Sequence, residues 1–292
     1  MRFTRTKGAV AGLGLALVLA ACGGDDGGEV EVAQDTDFES GTTMAEIAER
    51  GTVTIGTKFD QPGFGLQNLE GEPEGFDVEV AKIIAAEMGI APEDIEWKET
   101  PSDIREQVIE NGEVDFVVAT YTINDERKER ISFAGPYYNA GQMLMTRSDD
   151  DRFSGPEDIA ENPDAKVCTV TGSTPSVNIE EYLASDDQLV LFDVYDKCAS
   201  ALSNGQVDVV TTDNVILAGF VGESDGEFQL VGEQFTEEPY GIGIEKGDTA
   251  FCEFINETLQ ENEDAYLQAW EDTAGQVEGS QTPELPEPDT CA

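Results

Sequence analysis

A helix, an Asn-Gly stop and a short apolar strand occur twice in this chain, and the repetition restricts the folds open to it. Asp103 to Ile109 carries Ile104, Val108 and Ile109 at helical spacing. Asn111-Gly112 follows, two residues that tolerate the left-handed conformation of a helix C-cap. Val114-Asp115-Phe116-Val117-Val118-Ala119 then reads as a strand, running into Thr120, Tyr121 and Thr122. Ninety-three positions on, the pattern returns as Asp196 to Ser203, Asn204-Gly205, Val207 to Val210 and then Thr211, Thr212 and Asp213. Two such units predict two α/β lobes. Open α/β sheets bind ligands beyond the carboxyl ends of their strands, so the two polar strand ends are expected to face one shared cleft.

The flanking segments agree. Val53 to Lys58 reads as a strand, and Phe76 to Met88 as a helix with Val80, Ile83, Ile84 and Met88 on its apolar face. Lys166 to Val170 is a further strand, and Gly172-Ser173-Thr174-Pro175 opens a helix that Ser173 or Thr174 can cap. A helix start at a strand end offers backbone N–H groups to an anion such as a carboxylate.

Composition excludes several functions. The 292 residues include 62 acidic and 16 basic ones, a net charge of −46, which repels nucleic acid. The chain has no histidine, which removes Ser-His-Asp and Cys-His catalysis and histidine-based zinc sites. No cofactor and no metal is implied. The acidic excess suits a hydrated surface in high salt, where screening weakens its self-repulsion. Gly222-Glu223-Ser224-Asp225-Gly226 matches a hydrolase elbow but has no histidine to activate Ser224. Gly241-Ile242-Gly243 with Gly247 misses a dinucleotide fingerprint by one residue.

The N-terminus reads as an export signal. Arg2, Arg5 and Lys7 precede a small-to-apolar run from Gly8 to Ala21, too short to span a bilayer, which takes about 20 residues. The run ends Leu19-Ala20-Ala21-Cys22-Gly23, similar to a bacterial lipobox, so residues 1–21 are expected to be removed and Cys22 to carry a lipid. Gly23 to about Gly41, poor in apolar residues, is expected to be a self-repelling tether. The Pro/Glu-rich stretch near residues 276–289 is not expected to form a regular element.

From Gly51 to Trp270 the chain resembles the amino-acid-binding proteins of ABC uptake systems. The resemblance rests on Gly75-Phe76-Asp77-Val78-Glu79, Thr122-Ile123-Asn124-Asp125-Glu126-Arg127, Phe133-Ala134-Gly135-Pro136-Tyr137-Tyr138, Thr171-Gly172-Ser173-Thr174, Thr212-Asp213 and Tyr240-Gly241-Ile242-Gly243. Gly56-Thr57-Lys58-Phe59-Asp60-Gln61-Pro62-Gly63 and Glu237-Glu238-Pro239 are similar to the glutamate-binding branch of Gram-positive bacteria. The resemblance implies a periplasmic-binding-protein-like α/β fold of two lobes joined by a two-stranded hinge near residues 137–141 and 236–240. Residues 43–138 and 239–275 would form lobe one, 139–238 lobe two, and 276–292 an acidic tail after the tether at 22–42. It further implies glutamate or a related amino acid as ligand, an ABC permease as partner and a monomer anchored outside the cytoplasmic membrane. Two alternatives share the fold: a dehydratase of cyclohexadienyl type, and a sensor that presents its ligand to a kinase.

The site residues follow by the same resemblance. Arg127 matches the arginine that grips the ligand α-carboxylate, a task suited to a planar guanidinium. Asp213 matches the acid that pairs with the α-ammonium, beside Thr212. Ala119, Thr120 and Thr122 would contribute backbone groups and a hydroxyl; Thr171, Ser173 and Thr174 would contribute from lobe two. Phe76 matches an aromatic that stacks on the ligand, and a second such position falls on Gln61. Lys58 stands where a glutamine-binding relative carries an acid, and a cation there could meet a side-chain carboxylate. Four cysteines remain after Cys22, and an exported chain favours their pairing. Three connectivities are possible; we expect Cys168 with Cys198 inside lobe two, and Cys252 with Cys291 pinning the tail.

Overall fold

The computed structural model describes residues 31–34 and 36–291. The expected signal peptide and the lipidated Cys22 lie outside the described residues. The chain runs through α1 (Thr43–Arg50), β1 (Val53–Thr57), a small flap of β2 (Asp60–Gln61), β3 (Gly65–Gln67) and β4 (Pro73–Glu74), then α2 (Phe76–Glu87) and β5 (Ile95–Glu99). It continues with α3 (Arg105–Glu110), β6 (Phe116–Val117), α4 (Asp125–Arg130) and β7 (Ser132–Ala140). A second group follows: β8 (Gln142–Arg147), α5 (Glu157–Glu161), β9 (Val167–Val170), α6 (Thr174–Asn178), β10 (Leu189–Phe192), α7 (Tyr195–Ser203), β11 (Val209–Asp213), α8 (Asn214–Glu223) and β12 (Phe228–Val231). The chain then returns through β13 (Glu238–Ile244), α9 (Thr249–Glu261) and α10 (Glu263–Asp272).

These elements make two α/β lobes. Sheet one has the order β5-β1-β6-β13-β7, and sheet two β10-β9-β11-β8-β12. The chain passes between the sheets along β7 into β8 and again from β12 into β13. At that crossing β7 and β13 pair antiparallel, with Glu238 opposite Ala140 and Tyr240 opposite Tyr138. Both faces of each sheet are covered, so its strands alternate between two apolar cores. Phe116 and Val118 enter one lobe-one core, while Val117 and Ala119 enter the other. Val210 and Met145 in lobe two point one way, Val209 and Leu144 the other.

The repeated unit is present, with local differences. Asn111 and Asn204 keep right-handed backbone, while Gly112 and Gly205 take the left-handed turn at φ 64 and 68. The strand expected from Val114 to Ala119 shrinks to Phe116–Val117. Its ends are drawn into other bonds: Asp115 accepts from the Thr54 N–H at 2.7 Å, Asp77 from the Thr120 N–H at 2.7 Å, and the Ala119 carbonyl from Arg105 at 2.8 Å. In lobe two the strand begins two residues later than expected, at Val209, and extends to Asp213.

Part of the expected tether is docked on lobe one. Ala33 donates its N–H to the Ala86 carbonyl at 3.0 Å, and Phe38 packs edge-on against Phe254. Phe38 supplies an apolar side chain where the surrounding residues offer few. The C-terminal stretch is irregular, as expected, but held: Leu285 packs on the lobe-one core and Asp289 donates its N–H to the Gly135 carbonyl at 2.7 Å. The structure forms both expected disulfides, Cys168–Cys198 between β9 and α7 and Cys252–Cys291 between α9 and the tail. The first closes a loop with a sequence separation of 30, worth about 3–4 kcal/mol in chain entropy. Replacing both Cys168 and Cys198 by Ser is expected to lower the calorimetric unfolding midpoint on the order of 10 °C; an unchanged midpoint would show that the bond contributes nothing.

Candidate functional site

The two polar strand ends meet, as the repeat implied. On the lobe-one side Thr120 turns the chain at φ 44, and its hydroxyl donates to Gln61 Oε1 at 3.0 Å. Asp77, in the first turn of α2, holds that turn: one carboxylate oxygen accepts from the Thr120 N–H and the other from the Tyr137 hydroxyl at 2.6 Å. Burial pushes the Asp77 carboxyl up to about 7, against the pull of these two hydrogen bonds. On the lobe-two side β11 delivers Thr212 and Asp213, and Ser173 caps α6 by accepting from the Ser176 N–H at 3.2 Å.

Between these ends lies a small cavity. Gln61, Ser102, Arg105, Thr120 and Thr122 line it from lobe one, and Ser173, Thr174, Tyr195, Thr212, Asp213 and Ile216 from lobe two. Its volume is about 10 Å³, roughly the space of one water. Four polar atoms on its lining residues have no hydrogen-bond partner: Gln61 Nε2, Arg105 Nε, Thr212 Oγ1 and Asp213 Oδ1. Leaving a buried polar group unpaired costs about 1–3 kcal/mol, so four at one place mark a site kept at the expense of stability. The other Asp213 oxygen accepts from the Tyr240 hydroxyl at 2.6 Å. Burial, aided by nearby Glu238, raises the Asp213 carboxyl to about 7.

Three cations converge on the lobe-one side. Arg105 is buried, donates to the Ala119 carbonyl and stacks its guanidinium 4.1 Å from the centre of the Tyr121 ring. Arg127 lies over the same ring at 5.1 Å. It donates to the Thr122 carbonyl at 2.6 Å and, across the cleft, to the Gly172 carbonyl at 3.1 Å, with Glu106 3.3 Å from its Nε. Lys58 is buried and donates to Ser102 Oγ at 2.8 Å. Burial and then Arg105 lower the Lys58 ammonium to about 7, with Asp60 opposing; burial and then Arg105 also lower Arg127 to about 10. Cations crowded together in this way gain most from an incoming anion.

The structure brings together Thr120, Thr122, Ser173, Thr174, Thr212 and Asp213 around the cavity, and Lys58 joins them through Ser102. Arg127 instead lines the adjoining outer crevice of about 330 Å³, beside Asp103 and Gly172. Three expected residues lie elsewhere. Phe76 points into the lobe-one core, edge-on to Trp270 and Tyr266, because it opens α2 on the side away from the cleft. Ala119 belongs to the second lobe-one core, and its carbonyl is taken by Arg105. Thr171 is exposed and gives its N–H to the Phe192 carbonyl at 2.9 Å. Sequence reasoning missed Arg105, Ser102 and Tyr195. Arg105 stands three and four residues before Val108 and Ile109, so its place on an apolar helix face was a usable signal.

Comparison with known proteins agrees with this geometry. Residues 53–270 match the family described as bacterial extracellular solute-binding proteins, family 3. The glutamate-binding protein GluB of Corynebacterium efficiens is 43% identical over 268 residues, covering 88% of this chain and 86% of that protein. The ABC transporter glutamine-binding protein GlnH of Bacillus subtilis is 37% identical over 245 residues, covering 84% and 86%. Among solved structures, an ancestral arginine-binding protein bound to glutamine superposes with a TM-score of 0.71 at 32% identity, covering 78% of this chain and 99% of that one. The chain belongs to the bacterial extracellular solute-binding proteins of family 3.

Proposed function

We propose that this protein is the lipid-anchored extracellular receptor of an ABC uptake system, and that its lobes close over glutamate and deliver it to a membrane permease. The observation that carries this reading is that Arg105 from one lobe and Asp213 from the other each bring an unpaired polar atom to the same small cavity. An amino acid supplies what both need, an anion and a cation on one small molecule. Asp213 receives the α-ammonium. Arg127 takes the α-carboxylate, turning from the Gly172 carbonyl as the lobes part. Lys58 and Arg105 meet the side-chain carboxylate, which relieves the mutual repulsion of the three cations. A cavity of about 10 Å³ is far too small for glutamate, so binding requires the lobes to open first and to close less tightly around it. No bond is made or broken. The names of GluB and GlnH support an acidic or amide amino acid as ligand and ABC transport as the setting, and the lipobox-like Cys22 supports the anchor.

Calorimetry with glutamate and glutamine separates the roles. Losing one member of a buried ion pair costs about 3–5 kcal/mol. Lys58→Met or Arg105→Met is therefore expected to weaken glutamate binding at least ~100-fold while glutamine changes far less. Arg127→Met should damage both ligands alike, since both carry the α-carboxylate. If neither Lys58→Met nor Arg105→Met alters the preference, the side-chain carboxylate is not held by this cation group and the glutamate reading falls.

The raised Asp213 carboxyl gives a second test with a definite sign. Folding lifts it from its ordinary 3.8 to about 7, so the folded protein holds this proton more tightly than the unfolded chain does. Its contribution to ligand-free stability therefore falls as pH rises from about 4 to about 7, and is least favourable above 7. Asp77 acts in the same direction; Lys58, lowered from 10.5 to about 7, acts oppositely between about 7 and 10.5. Asp213→Asn should raise the melting temperature at pH 8, with the gain shrinking toward pH 4, and should abolish amino-acid binding at both. A gain independent of pH would mean that Asp213 is not the group titrating.

A further inference from the structure

The flap of lobe one also touches lobe two beside the cavity, at the start of α7 and on α8. Helix α7 has Val194 as its N-cap, a residue with no side-chain oxygen to accept a hydrogen bond. The missing acceptor comes from the other lobe: Asp60 on β2 is buried, and its Oδ2 accepts from the Tyr195 N–H at 2.6 Å. Two residues further along the flap, the Pro62 carbonyl sits over α8 at Gly219. An ideal Cβ added to Gly219 would stand 2.4 Å from that oxygen, a distance no side chain tolerates. Neither Asp60 nor Gly219 lines the cavity. Both contacts join lobe one to lobe two, so both exist only while the lobes are together.

We propose that Asp60 and Gly219 form a clasp for the closed state, in which lobe one caps a helix of lobe two and rests its backbone on a glycine seat. They act as positioning residues: they raise amino-acid affinity through the open–closed equilibrium and do not touch the amino acid. An interaction present only in the closed state shifts that equilibrium by its full strength. A carboxylate at a helix start interacts favourably with the unpaired N–H groups there. The proposal deepens the two-lobe closure described above and rests on it.

The test uses the full chain, with dyes placed through unnatural amino acids at exposed positions 93 and 187, one on each lobe, so that the disulfides stay intact. Asp60→Ala is expected to lower the closed fraction without ligand and to weaken glutamate and glutamine binding about tenfold, with faster dissociation. Asp60→Asn keeps an acceptor and should stay close to wild type, which separates the cap from any effect of the Asp60 charge on nearby Lys58. Gly219→Ala should open the lobes by pushing Pro62 away, while the ratio of glutamate to glutamine affinity stays unchanged. An Asp60→Ala variant with wild-type inter-dye distance and dissociation rate would overturn the clasp, as would a Gly219→Ala variant that closes normally. A wild-type chain that binds no amino acid would overturn the receptor reading, while the ligand-free dye distances would still decide the clasp.

Discussion

The lobe-one half of the site depends on one carboxylate, Asp77, which fastens three separate segments. It sits in the first turn of α2 and accepts from the Thr120 N–H after β6 and from the Tyr137 hydroxyl on β7. The first bond ends the β6 ladder and holds Thr120 at positive φ, which a threonine adopts only when its surroundings enforce it. That turn presents the Thr120 hydroxyl to Gln61 and the Ala119 carbonyl to Arg105. The second bond ties the same point to the strand that leads into lobe two. Burial makes the Asp77 carboxylate costly, and its two donors offset that cost.

Around this fixed point the molecule collects charge in a place where burial penalises it. Lys58, Arg105 and Arg127 stand on one side, and Asp213 on the other. Both guanidinia lie over the Tyr121 ring, and the Ala119, Thr122 and Gly172 carbonyls take part of their hydrogen-bonding capacity. Arg105 Nε and, opposite it, Asp213 Oδ1 are left without a partner. A protein selected for stability alone would replace such groups with apolar ones of similar size. Their retention makes sense if a ligand completes them. The glycines of lobe two serve the same end. Gly172 lets the Asp103 backbone come within 2.6 Å of where a Cβ would stand, and Gly219 does so for Pro62. Close backbone approach at both points lets the lobes meet without side chains between them.

Much of this was legible in the residues. The two Asn-Gly stops marked the repeat because a left-handed glycine after a helix has a strong local cause. Ser173, expected as a cap before Pro175, accepts from the Ser176 N–H at 3.2 Å. Thr212-Asp213 at a strand end reached the cavity for the reason that open sheets bind at strand ends. What could not be read were directions set by distant partners. Phe76 follows Gly75, whose φ of 128 turns the helix start, and its ring is drawn inward by Trp270, nearly two hundred residues on. Thr171 and Ala119 lie within the right motifs, yet their backbone groups are used by Phe192 and Arg105. Arg105 could be placed on the apolar face of α3, but not its partners, the Tyr121 ring and the Ala119 carbonyl, which lie beyond the helix.

On our proposal these lobes part and then close around an acidic amino acid. Small-angle X-ray scattering during a glutamate titration tests it most directly. The ligand-free radius of gyration is expected to exceed that of the closed structure and to fall toward the closed value as glutamate saturates the protein. A radius that begins at the closed value and does not change at saturation would contradict it.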